Sequence, residues 1–355
     1  MKPAKQKDIA TTFALRLISW QRVHGRHDLP WQTSRQPYGV WLSEIMLQQT
    51  QVVTVKQYYS RFMLRFPTVQ ALANAQLDDV LVLWSGLGYY SRARNLHLCA
   101  QTLVRDFGGE FPHSSAQLVK LPGIGPSTAA AIAAFCFGER VSIMDANVQR
   151  VVGRYLAFDA DLASQKNVRL LWDQATDLLP SGGSSDQIAS YTQALMDLGA
   201  GICSVKRPNC LICPVRADCG AMANGQPVNY PVKTRTLKRS SQSLWLLRLT
   251  RDDGAVWLEQ RPTPGVWAGL YAFALFGDEA AALDLLGLTL CAKVVAKPVL
   301  KHVLTHKDLH LHPLDLAVNF SQADTICSSR NGRWFLPHDL RTVGLPAPIE
   351  RMLLP

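Results

Sequence analysis

The chain has 355 residues, 48% hydrophobic and 18% charged, with 37 Lys and Arg against 27 Asp and Glu, a formal net charge of +10. It is too apolar for a disordered chain. At roughly 150 residues per domain its length suggests two or three domains, and the positive excess points to an anionic partner, nucleic acid first. The longest uninterrupted apolar stretch, residues 129–137, falls far short of the roughly 20 residues a membrane span needs. Arg16 interrupts the segment where a secretory core would lie, so the reading excludes membrane and secreted classes and predicts a cytoplasmic protein.

Residues 8 to about 220 read as about ten helices joined by short turns. Ile9, Phe13, Leu17 and Trp20 recur at helical spacing, as do Val52, Val55, Tyr59, Phe62, Met63 and Phe66 before Pro67 ends that run. Ser114 with Gln117 has the form of a capping box opening a short helix. Between residues 200 and 240, Lys206, Arg207, Arg216, Lys233, Arg235, Lys238 and Arg239 face one acid, Asp218, which reads as a basic linker, either a path along phosphates or a solvated tether. From Trp245 onward strand signals take over, with runs at 244–250 and 255–259 flanking Arg251-Asp252-Asp253-Gly254, a hairpin signature. Further strands are expected at 310–316 and 334–335, and helices near 278–286 and 347–354.

Four segments carry chemistry. Leu121-Pro122-Gly123-Ile124-Gly125-Pro126-Ser127 sets two glycines around one apolar residue before a helix of small residues. Such a turn points backbone N–H groups outward at a helix N-terminus, a phosphate cradle, although a tight helix-to-helix turn explains the pattern as well. Asp145, in Ile143-Met144-Asp145-Ala146-Asn147-Val148, is placed to cap a helix and to be held ionised by its dipole, facing a developing positive charge. Glu44 stands alone in the apolar run 40–50, where desolvation raises a carboxyl pKa and makes a proton donor near neutrality. An acid paired with a stabilising carboxylate is the division of labour for cleaving a glycosidic bond. Finally, Cys203, Cys210, Cys213 and Cys219 form C-x6-C-x2-C-x5-C, four thiolates for zinc or for an iron–sulfur cluster; the other four cysteines read as small buried residues.

SEIMLQQTQV (43–52), WSGLGYYSRARNL (84–96), LPGIGPSTA, MDANV and the four-cysteine loop together resemble the endonuclease III superfamily of helix-hairpin-helix glycosylases, and within it the MutY-type adenine DNA glycosylases. The resemblance covers nearly the whole chain. It implies an all-α glycosylase domain over 1–222, with a six-helix barrel at about 29–138 and a cluster lobe from 1–28 and 139–222. A linker at 223–243 and an α+β Nudix-like domain over 244–355 follow. It implies a [4Fe–4S] cluster on Cys203, Cys210, Cys213 and Cys219. It makes Glu44 the acid that protonates the leaving adenine and then activates water, and Asp145 the group that stabilises or captures the sugar cation, with Asn147 and Ser127 orienting it. Gln49 and Tyr89, beside Thr50 and Leu87, match the intercalating wedge; Gly123 and Gly125 the phosphate-binding hairpin; Trp31 and Gln193 the adenine pocket. Arg92 and Arg94 stand where phosphates would pass. Ser127 occupies the position of the lyase lysine of other branches and cannot form a Schiff base, so base removal without strand scission is expected.

Residues 260–270 (QRPTPGVWAGL) are similar to the start of the family's Nudix-like domain. A Nudix hydrolase needs a downstream cluster of acids, and only Asp278, Glu279 and Asp284 follow, so recognition of 8-oxoguanine without hydrolysis is expected. Leu304-Thr305-His306 matches the lesion-reading loop, Thr305 keeping a hydroxyl and Leu304 replacing a Phe, while His302, His306, His310 and His312 could also form a polar strand face or hold a metal. The expected partner is double-stranded DNA carrying adenine opposite 8-oxoguanine or guanine, bound by a nucleoid-associated monomer. The competing class is a catalytically inert iron–sulfur lesion-binding protein.

Overall fold

The computed structural model describes residues 3–235 and 238–354, with side-chain surroundings from residue 12 onward. Ile9 of the N-terminal stripe therefore lies outside the described side chains. The chain separates into two compact units, Met1–Ala73 with Leu98–Thr236 and Asn74–His97 with Leu237–Pro355. No described helix is long and apolar enough to cross a membrane.

The first unit is all-α. Its helices are α1 (Pro3–His24), α2 (Pro37–Leu47), α3 (Val52–Arg65) and α4 (Val69–Ala73). α5 (Leu77–Trp84) and the part of α6 (Ser91–Phe107) up to His97 belong to the second unit; the first continues with the rest of α6 and with α7 (Ser115–Leu118), α8 (Pro126–Phe137), α9 (Ala146–Tyr155), α10 (Gln165–Asp177), α11 (Ser185–Ala200) and α12 (Gly220–Ala223). Phe13 and Leu17 of α1 and Val55, Tyr59 and Phe62 of α3 are buried, as their spacing predicts. Helix α8 sets the architecture. Ala129, Ala130, Ala131, Ala133 and Ala134 are all buried, so α2, α7 and α11 can pack directly against it. Short side chains at these positions allow close approach on several sides at once.

The predicted box at Ser114 does not form. The Ser114 hydroxyl donates to Gln117 Oε1 at 3.1 Å, while the Glu139 carboxylate accepts from the Ser115 amide at 2.6 Å and its hydroxyl at 2.8 Å. A charged acceptor outcompetes a neutral hydroxyl for the same helix N-terminus. The first part of the predicted linker is likewise not a free tether within this unit. Asp161 accepts from the Thr234 amide at 3.0 Å, the Leu162 amide donates to Val232 O at 2.9 Å, and Arg154 donates to Tyr230 O at 3.0 Å.

The second unit is built on an eight-stranded mixed sheet: β1 (Ser240–Arg251), β2 (Val256–Gln260), β3 (Tyr271–Ala272), β4 (Ala274–Phe276), β5 (Val295–Ala296), β6 (Leu300–Val303), β7 (Lys307–Val318) and β8 (Gly332–Phe335). The hairpin at 251–254 closes β1 on β2 with Gly254 at φ 82, and β1 runs parallel to β7 from Ser240↔Lys307 to Arg251↔Val318. Helices α13 (Glu279–Asp284), α14 (Gly287–Cys291), α15 (Phe320–Cys327) and α16 (Ala347–Leu353) complete it. Leu247, Leu249, Leu314, Leu316, Ala282 and Ile326 form one core cluster of the sheet and helices. Because α8 is packed to contact along most of its length, Ala133→Leu is expected to lower stability by about 1–3 kcal/mol through overpacking, read as a lower urea midpoint at unchanged slope.

Candidate active site and iron–sulfur loop

Helix α2 begins at Pro37, whose missing N–H is no loss at a first turn. Trp41, Leu42, Ile45 and Met46 of the same helix are buried, while Glu44 is half-buried at the edge of a cavity with both apolar and polar walls. Burial pushes the Glu44 pKa up to about 8, and the nearby charge of Asp145 pushes the same way. Asp145 caps α9, its carboxylate accepting from the Val148 amide at 2.7 Å. Its pKa is raised by burial too, but the Val148 and Asn147 amides and the Arg150 guanidinium oppose the rise. The two carboxyls are thus unequal: the anion is favoured at Asp145, the proton at Glu44.

The surroundings of α9 fix that arrangement. The Ser127 hydroxyl, in the first turn of α8, accepts from the Met144 amide at 3.1 Å and ties the helix-hairpin-helix element to the Asp145 turn. Arg150 donates to Asn147 Oδ1 at 2.8 Å, to Gly199 O at 2.6 Å and to Cys203 O at 2.7 Å. A side chain at Gly199 would fall 2.6 Å from Asn147 Cβ, so glycine is what lets α11 approach α9 here.

Glu44 opens into a cavity of about 350 Å³ that also exposes Trp31, Gln32 and Gln193, so the structure brings Glu44 together with both residues assigned to base recognition. Trp31 packs edge-on against Tyr59, with centroids 5.4 Å apart. Gln193 donates to Asp197 Oδ1 at 2.8 Å, and the buried Asp197 also takes the Arg26 amide at 2.9 Å and Arg26 Nε at 2.7 Å. This fixes the orientation of the Gln193 amide at the cavity wall. Sequence reading missed Arg26 and Asp197 because they lie 171 residues apart, as it missed Arg150 and Gly199.

Gly123, at φ 74, and Gly125 are exposed in the turn before α8, and Gly125 caps that helix without any side-chain acceptor. A helix start that no side chain caps is the setting in which backbone amides can meet an anion. Gln49 and Thr50 follow α2, with Gln49 exposed at φ 57. In the second unit Leu87 is buried, while Tyr89, at φ 48 and 39% exposed, hydrogen-bonds through its hydroxyl to Thr305 Oγ1. Left-handed backbone at a non-glycine residue costs roughly 1–2 kcal/mol, and both residues matched to the wedge adopt it. His306 and Thr305 line a cavity of about 620 Å³ with Tyr89, Trp267 and His302. Asp278 is an N-cap, accepting from the Ala281 amide at 2.8 Å.

Cys203, Cys210, Cys213 and Cys219 all line one small cavity next to α9, and none of them is in a disulfide. Arg154 Nη1 donates to Cys203 Sγ at 3.3 Å. Four sulfurs around one void beside a cationic donor fit a thiolate-bound inorganic group. Among the described residues no group of three or more His, Cys, Asp or Glu is spaced to hold a single metal ion, the four C-terminal histidines included.

Residues 42–174 match the model of the HhH-GPD superfamily of base excision DNA repair proteins, and residues 245–354 that of the NUDIX domain. The chain is 34% identical over 339 residues to an adenine DNA glycosylase of Buchnera aphidicola subsp. Baizongia pistaciae, covering 95% of this chain and 94% of that one. To the adenine DNA glycosylase of Rattus norvegicus it is 44% identical over 225 residues, 60% of this chain and 43% of that one. A thermostable thymine-DNA glycosylase superposes with TM-score 0.55 at 26% identity, covering 62% of this chain and 98% of that one.

With Glu44 protonated up to about pH 8, the single-turnover rate of the catalysed step should be level just below that pH, fall about tenfold per unit above it, and fall again at acid pH as Asp145 takes up a proton. A carboxyl whose folded pKa exceeds its unfolded value binds its proton more tightly when folded, so its contribution to stability declines from about pH 4 to 8 and is level above. Glu44→Gln should therefore raise Tm, most at pH 8 and above; scanning calorimetry across pH 5–9 checks the sign.

Proposed function

This chain belongs to the adenine DNA glycosylase family, and from that premise we propose that it removes adenine opposite 8-oxoguanine or guanine from double-stranded DNA in base excision repair. The observation that carries the reading is the unequal carboxyl pair, Glu44 held neutral in a base-sized cavity and Asp145 better supplied with N–H donors. The adenine leaves the stack and enters the Glu44 cavity between Trp31 and Gln193, an extrusion costing a few kcal/mol that Gln49 and Tyr89, with Thr50 and Leu87, offset by filling the gap. Glu44 gives its proton to the leaving base, the bond from sugar to base breaks with its electron pair going to the base, and the sugar becomes an oxocarbenium-like cation. Asp145, oriented by Asn147 and Ser127, faces that cation, and the Glu44 carboxylate then takes a proton from the attacking water.

Phosphates on either side rest on the amides at Gly123 and Gly125. Thr305 and His306 read the base opposite the adenine. Cys203, Cys210, Cys213 and Cys219 would hold a [4Fe–4S] cluster, which supplies a rigid cross-link for the 203–219 loop and a one-electron redox centre. With Ser127 in place of an amine nucleophile, strand scission is not part of the reaction. We place the protein in the cytoplasm, acting as a monomer on chromosomal DNA.

The test is a set of duplexes with adenine opposite 8-oxoguanine, guanine and thymine, followed by alkali to reveal abasic sites. Excision is expected on the first two, little on the third, and no cleavage without alkali or trapping by borohydride. Glu44→Gln should lower excision at least a hundredfold while binding is kept. Retained excision in that variant would favour neither this mechanism nor the inert binding protein. Iron content near four per chain, with visible absorbance bleached by dithionite, is expected of the cluster.

A further inference from the structure

Arg92 and Arg94 follow the 86–90 turn at positions where a sequence reading sets phosphate contacts, yet both guanidiniums are engaged inside the second unit. Arg94 Nη1 donates to Ala268 O. Arg92 is 8% exposed and lies beneath the turn: its Nη2 donates to Leu87 O at 3.1 Å and to Gly88 O at 3.2 Å. Its guanidinium carbon sits 5.3 Å from the Trp84 ring and 5.5 Å from the Tyr89 ring. Trp84 Nε1 donates to the same Gly88 O at 3.2 Å. Two successive residues above this clamp, Gly88 at φ 68 and Tyr89 at φ 48, take left-handed backbone, which a non-glycine residue keeps only where its surroundings enforce it.

We propose that Arg92 is a positioning residue for Tyr89, setting the wedge from beneath by holding two successive carbonyls and stacking under its ring, without touching DNA. This rests on the reading of Tyr89 as a residue that enters the duplex. The planar fork suits the role, since it reaches two carbonyls while its face meets aromatic rings, and a lysine ammonium does not reproduce that geometry. Burial lowers the Arg92 pKa only to about 10, so the charge persists at neutral pH.

The full-length holoprotein is tested by equilibrium binding to two duplexes, one with adenine opposite 8-oxoguanine and one undamaged, over a range of salt. Arg92→Met should weaken binding to the lesion duplex about tenfold, the scale of losing one stacked contact. It should leave undamaged-duplex affinity within about twofold and the salt slope unchanged, because phosphate contacts alone set that slope. A 2-aminopurine beside the lesion should show correspondingly less unstacking. Arg92→Lys should fall between, and in a Tyr89→Ala background Arg92→Met should add less than about twofold. Arg92→Lys carries the same comparison if Arg92→Met does not fold, as judged by thermal melting. Uniform weakening on both duplexes with a salt slope reduced by about one would identify Arg92 as a phosphate contact and overturn the inference. So would weakening by Tyr89→Ala that Arg92→Met fails to reproduce. If Tyr89→Ala itself leaves lesion binding unchanged, the wedge reading is what fails, and the inference falls with it.

Discussion

Two half-buried carboxyl groups close enough for the charge of one to act on the other cannot both be charged without an electrostatic cost, and at Glu44 that cost adds to burial. Glu44 sits in a helix whose Trp41, Leu42, Ile45 and Met46 are buried, and both influences on it, burial and the charge of Asp145, favour the neutral acid. Asp145 takes backbone N–H groups at the start of a helix and has Arg150 nearby. Glu44 therefore owes its protonation state to the charge of Asp145 as well as to its own burial, whereas Asp145 is set by its own shell of backbone N–H groups and Arg150.

Holding the pair takes more chain than the pair itself. The alanines of α8 let α2 and α11 pack against the same helix, which sets Glu44 and Gln193 on one cavity. Ser127 fastens the Met144 amide, and Arg150 links Asn147, Gly199 and Cys203 in one hydrogen-bonded cluster. Since Arg154 donates to Cys203 Sγ from the next turn of the same helix, α9 carries the Asp145 carboxylate at one end and meets the cysteine loop along its side. A group bound by the four thiols would thus stabilise the helix that presents Asp145.

How far the sequence discloses this depends on whether the determinant is local. The burial of Glu44, the cap at Asp145, the 251–254 hairpin and the helical stripes of α1 and α3 all rest on neighbours within a few residues, and all could be read from the chain. The Ser114 box could not, because its competitor is Glu139, 24 residues away. Arg26 and Asp197, which orient Gln193, carry no local signature. Arg92 carries no deciding local signature either, since a basic residue beside an exposed turn looks alike whether it faces phosphates or supports the turn. Residues 74–97 belong with the C-terminal sheet in the folded chain, and no break in composition announces that.

The central claim is that Glu44 is the proton-bearing member of the pair at neutral pH. It is tested most directly by carbon-13 NMR of side-chain carboxyls in the full-length protein, with Glu44→Gln and Asp145→Asn assigning the resonances. The account predicts that the Glu44 carboxyl titrates near pH 8 and Asp145 well below it, and that Asp145→Asn moves Glu44 downward. A Glu44 resonance titrating in the ordinary glutamate range, unmoved by Asp145→Asn, would contradict it.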